Sequence, residues 1–193
     1  MRFELGHVPM PEGYGEGILP IDACKAHLRV THDSENELIQ ALRDAAIEFV
    51  ERYCGVRLGP VTGLTWRAES LPRCTSDSIS LAVRPVTAIT SIAWQDGDGT
   101  DVIGDVADYR VGASGELRPV IGGSWPSGVG GEVVVTFDAG FAEGEAPPSL
   151  LQAVRLMLSH LYMNREAVIV GTISGEAPLG VTSLCMPFRR VMI

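Results

Sequence analysis

Hydrophobic positions follow two periods along the chain, and the change of period divides it into segments. Up to about residue 58, and again from residue 147, apolar residues recur at the three- and four-residue spacing of an amphipathic helix. Between residues 59 and 146 they alternate with polar residues, which is the period of a half-buried strand. This order predicts an α+β fold. The N- and C-terminal helices form one small bundle, and an antiparallel β domain, a sandwich or a barrel, is inserted between them.

Four segments with definite bounds follow from this pattern. Residues 1–20, rich in Gly and Pro, are expected to form an extended arm, and residues 21–58 form the N-terminal helices. Residues 59–146 form the inserted β domain, with five or six short strands separated by Gly and Pro turns. Residues 147–193 supply the C-terminal helices and tail, which pack with residues 21–58.

A long helix is predicted after Ser34. Ser34 and Glu37 have the spacing of a capping box, and Gly55 is a natural C-terminal cap. One apolar stripe of this helix is expected to face the core. It consists of Leu38, Leu42, Ala45, Ala46, Phe49 and Tyr53.

Two further helical segments are predicted near the C-terminus. The first begins at Pro147-Pro148-Ser149, which are good helix-start residues, and its stripe is Leu150, Val154, Met157, Leu158 and Leu161. The second is a short amphipathic segment that begins at Pro178. Its apolar face carries Val181, Leu184, Cys185 and Phe188.

The net charge of −9 changes the picture of possible partners. It argues against a general nucleic-acid binder, because neutralising phosphates needs clustered Lys and Arg. The charge is unevenly spread: −4 over residues 1–58, −7 over residues 59–146 and +2 over residues 147–193. This asymmetry is compatible with head-to-tail contact between copies. No apolar run approaches the ~20 residues of a membrane span, and the first residues lack the apolar core of a signal peptide.

The acidic, cysteine and histidine residues do not have the spacing of known metal-binding motifs. The acidic stretch from Asp96 to Asp101 departs from a calcium loop, because its sixth position is Asp101 where Gly is required. We interpret it as a hairpin turn. The four cysteines and four histidines have no zinc spacing. Cys24 and Cys54 are expected to be small core residues, and no metal or cofactor is predicted.

Catalytic patterns are equally absent. His32, Asp33 and Ser34 are adjacent in sequence and cannot form a triad geometry, and His160 is expected to hydrogen-bond across a helix–helix contact. The glycines from Gly128 to Gly131 precede a strand, so we interpret them as a turn and not as a phosphate loop. No catalytic residue is predicted. A small enzyme or ligand-binding protein without a recognisable motif stays open as an alternative.

Several stretches after residue 19 are individually degenerate but specific in their order and spacing. They are PIDACKAHLRV (20–30), HDSENELI (32–39), AAIEFVERY (45–53), LAVRPV (81–86), WP (125–126), VVVTFDAGF (133–141), HLYMNRE (160–166), PLGV (178–181) and PFR (187–189). Together they resemble the head–tail connector (adaptor) family of tailed double-stranded DNA phages, which also occurs in prophages and gene transfer agents.

The resemblance implies a structural virion protein without enzymatic activity. Members of this family assemble as a ring beneath the portal, and the ring joins the DNA-filled head to the tail. The implied partners are the portal protein, a tail or stopper protein of the neck, and further copies of the chain in a ring of about a dozen. DNA is implied only as transient cargo of the channel, and no membrane is involved. The implied location is the virion neck, assembled in the cytoplasm of the bacterial host. Another neck or tail-completion protein is the nearest alternative.

The C-terminal tail is the candidate interface with the portal or a neighbouring subunit. It combines apolar side chains with two arginines, and such an end exposes apolar surface unless it docks on another surface. The candidate interface residues are Phe188, Arg189, Arg190, Val191, Met192 and Ile193. Docking of the tail on the chain's own core is the alternative.

Overall fold

The computed structural model describes residues 3–6, 10–72, 74, 76–112, 114–164 and 179–189. Contacts divide the chain into two compact units. Residues 12–59 and 141–193 form a helical unit, and residues 1–11 and 60–140 form a β unit. Helices and antiparallel sheets are both present, so the predicted α+β class is confirmed.

The described part of the helical unit contains five helices. They are α1 (Tyr14–Ile18), α2 (Ile21–Leu28), α3 (Asn36–Cys54), α4 (Pro148–Met163) and α5 (Leu179–Cys185). A 3-10 turn, Met186–Phe188, follows α5. The two long helices α3 and α4 pack together, and α5 packs on α4. Gly55 ends α3 in the left-handed conformation (φ 66°) and donates its N–H to the carbonyl of Glu51, as the sequence predicts.

One apolar core holds the helical unit together. Its fully buried members from the long helices include Ile39, Val50, Leu150, Val154 and Leu158. Cys24, Cys54 and Cys185 are also buried in this core, which confirms the expectation for Cys24 and Cys54.

The buried face of α3 differs from the predicted stripe. Ala46 is buried, but Leu38 and Ala45 are exposed and Leu42, Phe49 and Tyr53 are only half-buried. The fully buried positions lie one residue further along: Ile39, Arg43, Ala46, Ile47, Val50, Glu51 and Cys54. The prediction counted apolar side chains alone and therefore left out Arg43 and Glu51. Both charges are in fact buried, and partners outside α3 contribute to satisfying each of them.

The predicted capping box at the start of α3 is also wrong. The N-cap residue is Glu35, without a side-chain cap. The Ser34 hydroxyl lies 2.8 Å from His32 Nδ1 and does not cap the helix.

The extended arm predicted for residues 1–20 is corrected by two elements. Phe3–Leu5 form a short strand, β1, and the Phe3 ring stacks on Trp66 of the β unit at 5.9 Å. Residues 14–18 form helix α1 of the helical unit, with Gly13 in the left-handed conformation (φ 75°) just before it. The arm was predicted from the Gly and Pro content of these residues. Composition does not reveal the strand and the helix, because the partners of these residues are distant in sequence.

The β unit contains seven further described strands. They are β2 (Val61–Ala68), β3 (Ile79–Ser80), β4 (Val86–Asp96), β5 (Asp101–Ile103), β6 (Tyr109–Val111), β7 (Glu116–Pro119) and β8 (Val129–Ala139). One sheet has the order β1-β2-β8-β4-β5 and the other β3-β7-β6, and all pairs are antiparallel. Alternation places Leu64, Trp66, Val133, Val135 and Phe137 in the buried layer. The seven described strands of residues 59–146 exceed the five or six predicted for that segment, because four of them have only two to four residues.

The glycines at 128–131 form a turn only in part. Gly128 has a positive φ of 78°, which suits a turn, but Gly130 and Gly131 belong to β8. A Cβ at Gly130 would lie 2.6 Å from the carbonyl oxygen of Asp96. These glycines therefore allow β8 to approach β4 closely.

Candidate functional site

The described part of the C-terminal segment lies against the helical core. Val181 and Cys185 of α5 are fully buried, and the half-buried Phe188 ring packs against the same core. The guanidinium carbon of Arg189 lies 5.0 Å above the centre of the Tyr53 ring. Tyr53 in turn stacks on Phe49, with ring centres 6.0 Å apart and planes within 12°. The structure thus places Arg189 on the C-terminal half of α3 and Phe188 against the helical core.

The other candidate interface residues are Arg190, Val191, Met192 and Ile193, which lie outside the described residues. For Phe188, contact with the chain's own core is what the structure shows. Whether the whole tail binds a partner stays a prediction.

A buried carboxylate anchors α1 to the C-terminal end of α3. Glu51 is 2 % exposed, and the Tyr14 hydroxyl donates to its Oε1 at 2.5 Å. The backbone N–H of Leu58 donates to the same oxygen at 2.7 Å, and the Arg57 guanidinium pairs with Oε2 at 2.7 Å. The Tyr14 hydroxyl also accepts the N–H of Gly59 at 3.0 Å. Burial, with the neighbouring Glu51 charge next, raises the pKa of Tyr14 well above its usual range.

A second buried charge fixes the other side of α1. Arg43 is 5 % exposed and pairs with Glu16 of α1 at 2.6 Å and with Asp44 at 2.9 Å. It also donates to the carbonyl of Leu19 at 3.4 Å. Sequence reasoning missed both clusters. The available signal was two charged residues, Arg43 and Glu51, at positions that interrupt the helical spacing of Ile39, Ala46, Val50 and Cys54.

In the acidic loop from Asp96 to Asp101, a side chain accepts hydrogen bonds from the backbone of the loop itself. Asp96 Oδ1 accepts the N–H groups of Asp98 and Thr100, each at 2.9 Å, and the loop joins β4 to β5. The interpretation as a hairpin turn is confirmed. Asp105 caps the 3-10 turn Val106–Asp108 by accepting the N–H of Ala107 at 2.9 Å. Within the described ranges, no group of three or more His, Cys, Asp and Glu side chains is placed to hold a metal ion.

His32 and His160 have surroundings that differ from those of a catalytic histidine. The exposed His32 contacts Ser34, whereas Asp33 pairs with Lys25 at 2.5 Å and so does not orient the imidazole. His160 is exposed, and its Nδ1 lies 3.3 Å from the Asn164 amide of the same helix end. Within the described part of the chain, His160 makes no hydrogen bond across a helix–helix contact, so that expectation is not met there.

The buried thiols have different surroundings. Burial raises the pKa of Cys24 to about 11, so this thiol stays protonated and unreactive at neutral pH. Cys54 Sγ lies 3.8 Å from the Cys185 carbonyl oxygen, which joins the end of α3 to the end of α5. A hydrogen bond from Cys54 lowers the pKa of Cys185. These contacts serve packing of the C-terminal segment.

Comparison with known proteins decides the family. Residues 19–117, just over half of the chain, match the family described as phage gp6-like head-tail connector proteins. The chain belongs to this family. It is a structural protein of the head–tail connector type, as the sequence resemblance indicated. No curated protein matches the connector at a significant level.

Solved structures share the fold of the connector along nearly its whole length. A chain from the neck of an empty gene transfer agent (GTA) particle, computed with C6 symmetry, has a TM-score of 0.75. It is 24% identical, and the match covers 98% of the connector and 97% of that chain. Chains from the virion of a native GTA particle and from the neck of a native GTA particle computed with C12 symmetry have TM-scores of 0.73 and 0.72. Both are 24% identical, with coverage of 98% of the connector and of 96% and 97% of those chains, respectively.

Proposed function

We propose that this connector forms a closed ring of about a dozen copies beneath the portal and joins the DNA-filled head to the tail. The observation that carries the proposal is the fold shared over 98% of the chain with a chain from a particle neck computed with C12 symmetry. A ring of identical subunits needs heterologous contacts that close by rotation. The opposite charges of residues 59–146 and 147–193 are consistent with such contacts.

The proposed partners are the portal on one side and a tail or stopper protein on the other. DNA passes the ring as transient cargo, and an acidic channel wall would let it slide without adhering. Assembly takes place in the cytoplasm of the bacterial host. Among the described helices, none is both long and apolar enough to cross a membrane.

The portal-facing element in this proposal is the segment from Phe188 to Ile193. Phe188 and Arg189 lie on the helical core, which gives the following residues a fixed starting point. Arg190 supplies a cation, and Val191, Met192 and Ile193 supply apolar surface. Such a combination suits a partner pocket with an apolar floor and an acidic rim.

The decisive experiment uses particles. A connector without residues 190–193 retains Phe188 and Arg189 on the core, so we expect folded protein and DNA-filled heads that lack tails in electron micrographs. A matched control is Ile121→Ser in the β unit, which changes an exposed apolar side chain far from the tail in sequence. If particles with the truncated connector carry tails and deliver DNA normally, residues 190–193 of the connector are not the docking element. The truncated connector could also form rings on the portal that bind no particle tails. In that case residues 190–193 contact the particle tail and not the portal.

A further inference from the structure

Helix α3 has a second row of apolar side chains besides the one buried in the core. This outer row consists of Leu38, Leu42, Ala45, Phe49 and Tyr53. Leu38 is 36% exposed, Ala45 is exposed and the others are half-buried. Leu42, Phe49 and Tyr53 pack at the edge of the core, and with Leu38 and Ala45 they widen the apolar arc beyond what the described part of the helical unit covers.

The C-terminal segment reaches this outer row in the structure. Arg189 lies on the ring of Tyr53, and Tyr53 stacks on Phe49, so the three side chains form a continuous series along α3. Phe188, the preceding residue, packs on the core. The side chain of Arg189, which leads into the tail, therefore lies at the C-terminal end of the row.

Residues 190–193, which follow Arg189, have the length and the apolar composition needed to cover the middle of the outer row. In extended form they span about 13 Å, at ~3.3 Å per residue. At ~1.5 Å per residue of helix, Phe49 lies about 6 Å and Ala45 about 12 Å from Tyr53, whereas Leu38 lies about 22 Å away. Three of the four residues are apolar: Val191, Met192 and Ile193. They can thus cover Phe49 and Ala45 and cannot cover Leu38.

We propose that the outer row of α3 is the docking site of the chain's own residues Val191–Ile193 in the free subunit. Docking removes two apolar surfaces from water at once, and only four residues have to be ordered, because Arg189 is already fixed. Any partner that takes the tail has to displace it from α3, and this displacement uncovers the outer row. The inference goes beyond the ring function and is tested on the isolated chain, so it can fail while that function stands.

The test compares four chains: the parent, the parent without residues 190–193, Ala45→Glu, and Ala45→Glu without residues 190–193. Ala45 is exposed, so the glutamate is tolerated by the helix but blocks an apolar segment from lying on the row. We expect either single change to lower the thermal midpoint of helix unfolding by about 2–8 °C and to increase binding of a hydrophobic dye. The two changes together should lower the midpoint no further than one alone.

Ala41→Glu is the matched control, since Ala41 is exposed on the same helix but about 18 Å from Tyr53, beyond the reach of the tail. Truncation should lower the midpoint of this variant as much as that of the parent. The proposal is overturned if truncation leaves the parent's midpoint and dye binding unchanged, or if truncation acts equally with and without Ala45→Glu. It is also overturned if sedimentation shows that the parent is a dimer that Ala45→Glu dissociates, because a second copy then occupies the row.

Discussion

Removing one hydroxyl group should weaken the helical unit measurably. In Tyr14→Phe, Glu51 loses the donor at 2.5 Å and the Gly59 N–H loses its acceptor, while the ring and its packing remain. A hydrogen bond to a charged group contributes about 1.5–3 kcal/mol, and here the carboxylate stays buried at 2 % exposure. We therefore expect a loss of about 2 kcal/mol and a midpoint lower by roughly 4–8 °C.

Two probes separate the response of the two units. All three tryptophans, Trp66, Trp94 and Trp125, belong to the β unit, whereas all five described helices belong to the helical unit. Circular dichroism at the helix band therefore follows the helical unit, and tryptophan fluorescence follows the β unit. We expect the urea transition seen by circular dichroism to shift in Tyr14→Phe.

Tyr162→Phe is the matched control for this prediction. The Tyr162 hydroxyl also donates to a carboxylate, Glu35, at 2.5 Å, but Glu35 is only half-buried. Water can replace the lost partner there, so the free energy of unfolding should fall by less than about 1 kcal/mol. Equal losses in the two variants, or a loss below about 0.5 kcal/mol in Tyr14→Phe, would refute the role assigned to the buried Glu51 cluster.

Three further outcomes follow from groups described above. Because the pKa of Tyr14 is raised in the folded chain, its contribution to stability is present below the ordinary tyrosine pKa of ~10 and is lost as the pH rises above it. Urea unfolding at pH 9 and pH 11 should thus show a larger alkaline loss for the parent than for Tyr14→Phe, and equal losses would contradict the assignment. In the native chain, a thiol reagent at pH 7.5 should modify the exposed Cys74 quickly and the buried Cys24 only on unfolding, as mass spectrometry of the labelled peptides would show. Asp96→Ala should destabilise the β unit by about 1–2 kcal/mol in the tryptophan-detected transition, because two backbone N–H groups lose their acceptor. Asp98→Asn, which keeps those acceptors, should unfold like the parent.

The helix at residues 36–54 shows how far sequence patterns carry. Its existence and its glycine cap could be predicted, because period and capping are local properties. Its buried face could not, because the burial of Arg43 and Glu51 depends on partners outside the helix, among them Glu16 and Tyr14, 27 and 37 residues away. A hydropathy pattern counts such charges as outward-facing and rotates the predicted face toward Leu38 and Phe49.

The N-terminal residues show the same limit. Glycine and proline content predicted an arm, but Tyr14 and Glu16 supply the hydroxyl and carboxylate that the two buried charges of α3 need. Two sets of long-range contacts, one to the sheet and one to α3, therefore give structure to a segment whose own composition favours none. The candidate tail was found from composition alone, and its contact with Tyr53 depends on the packing of α5 that no local pattern reveals.

The helical unit is built from two stretches of chain that the ribosome makes at different times. Helix α3 ends at Cys54 and its main partner, α4, begins at Pro148. At ~5–20 residues per second, about 5–20 s pass between the synthesis of the two helices. During that interval the β strands can pair, while the side of α3 that packs on α4 lacks its partner and only α1 and α2 are present to cover the helix. The nascent chain therefore carries a partly uncovered helix through about half of its synthesis, and this is the period in which chaperones or premature contact between chains would act on it.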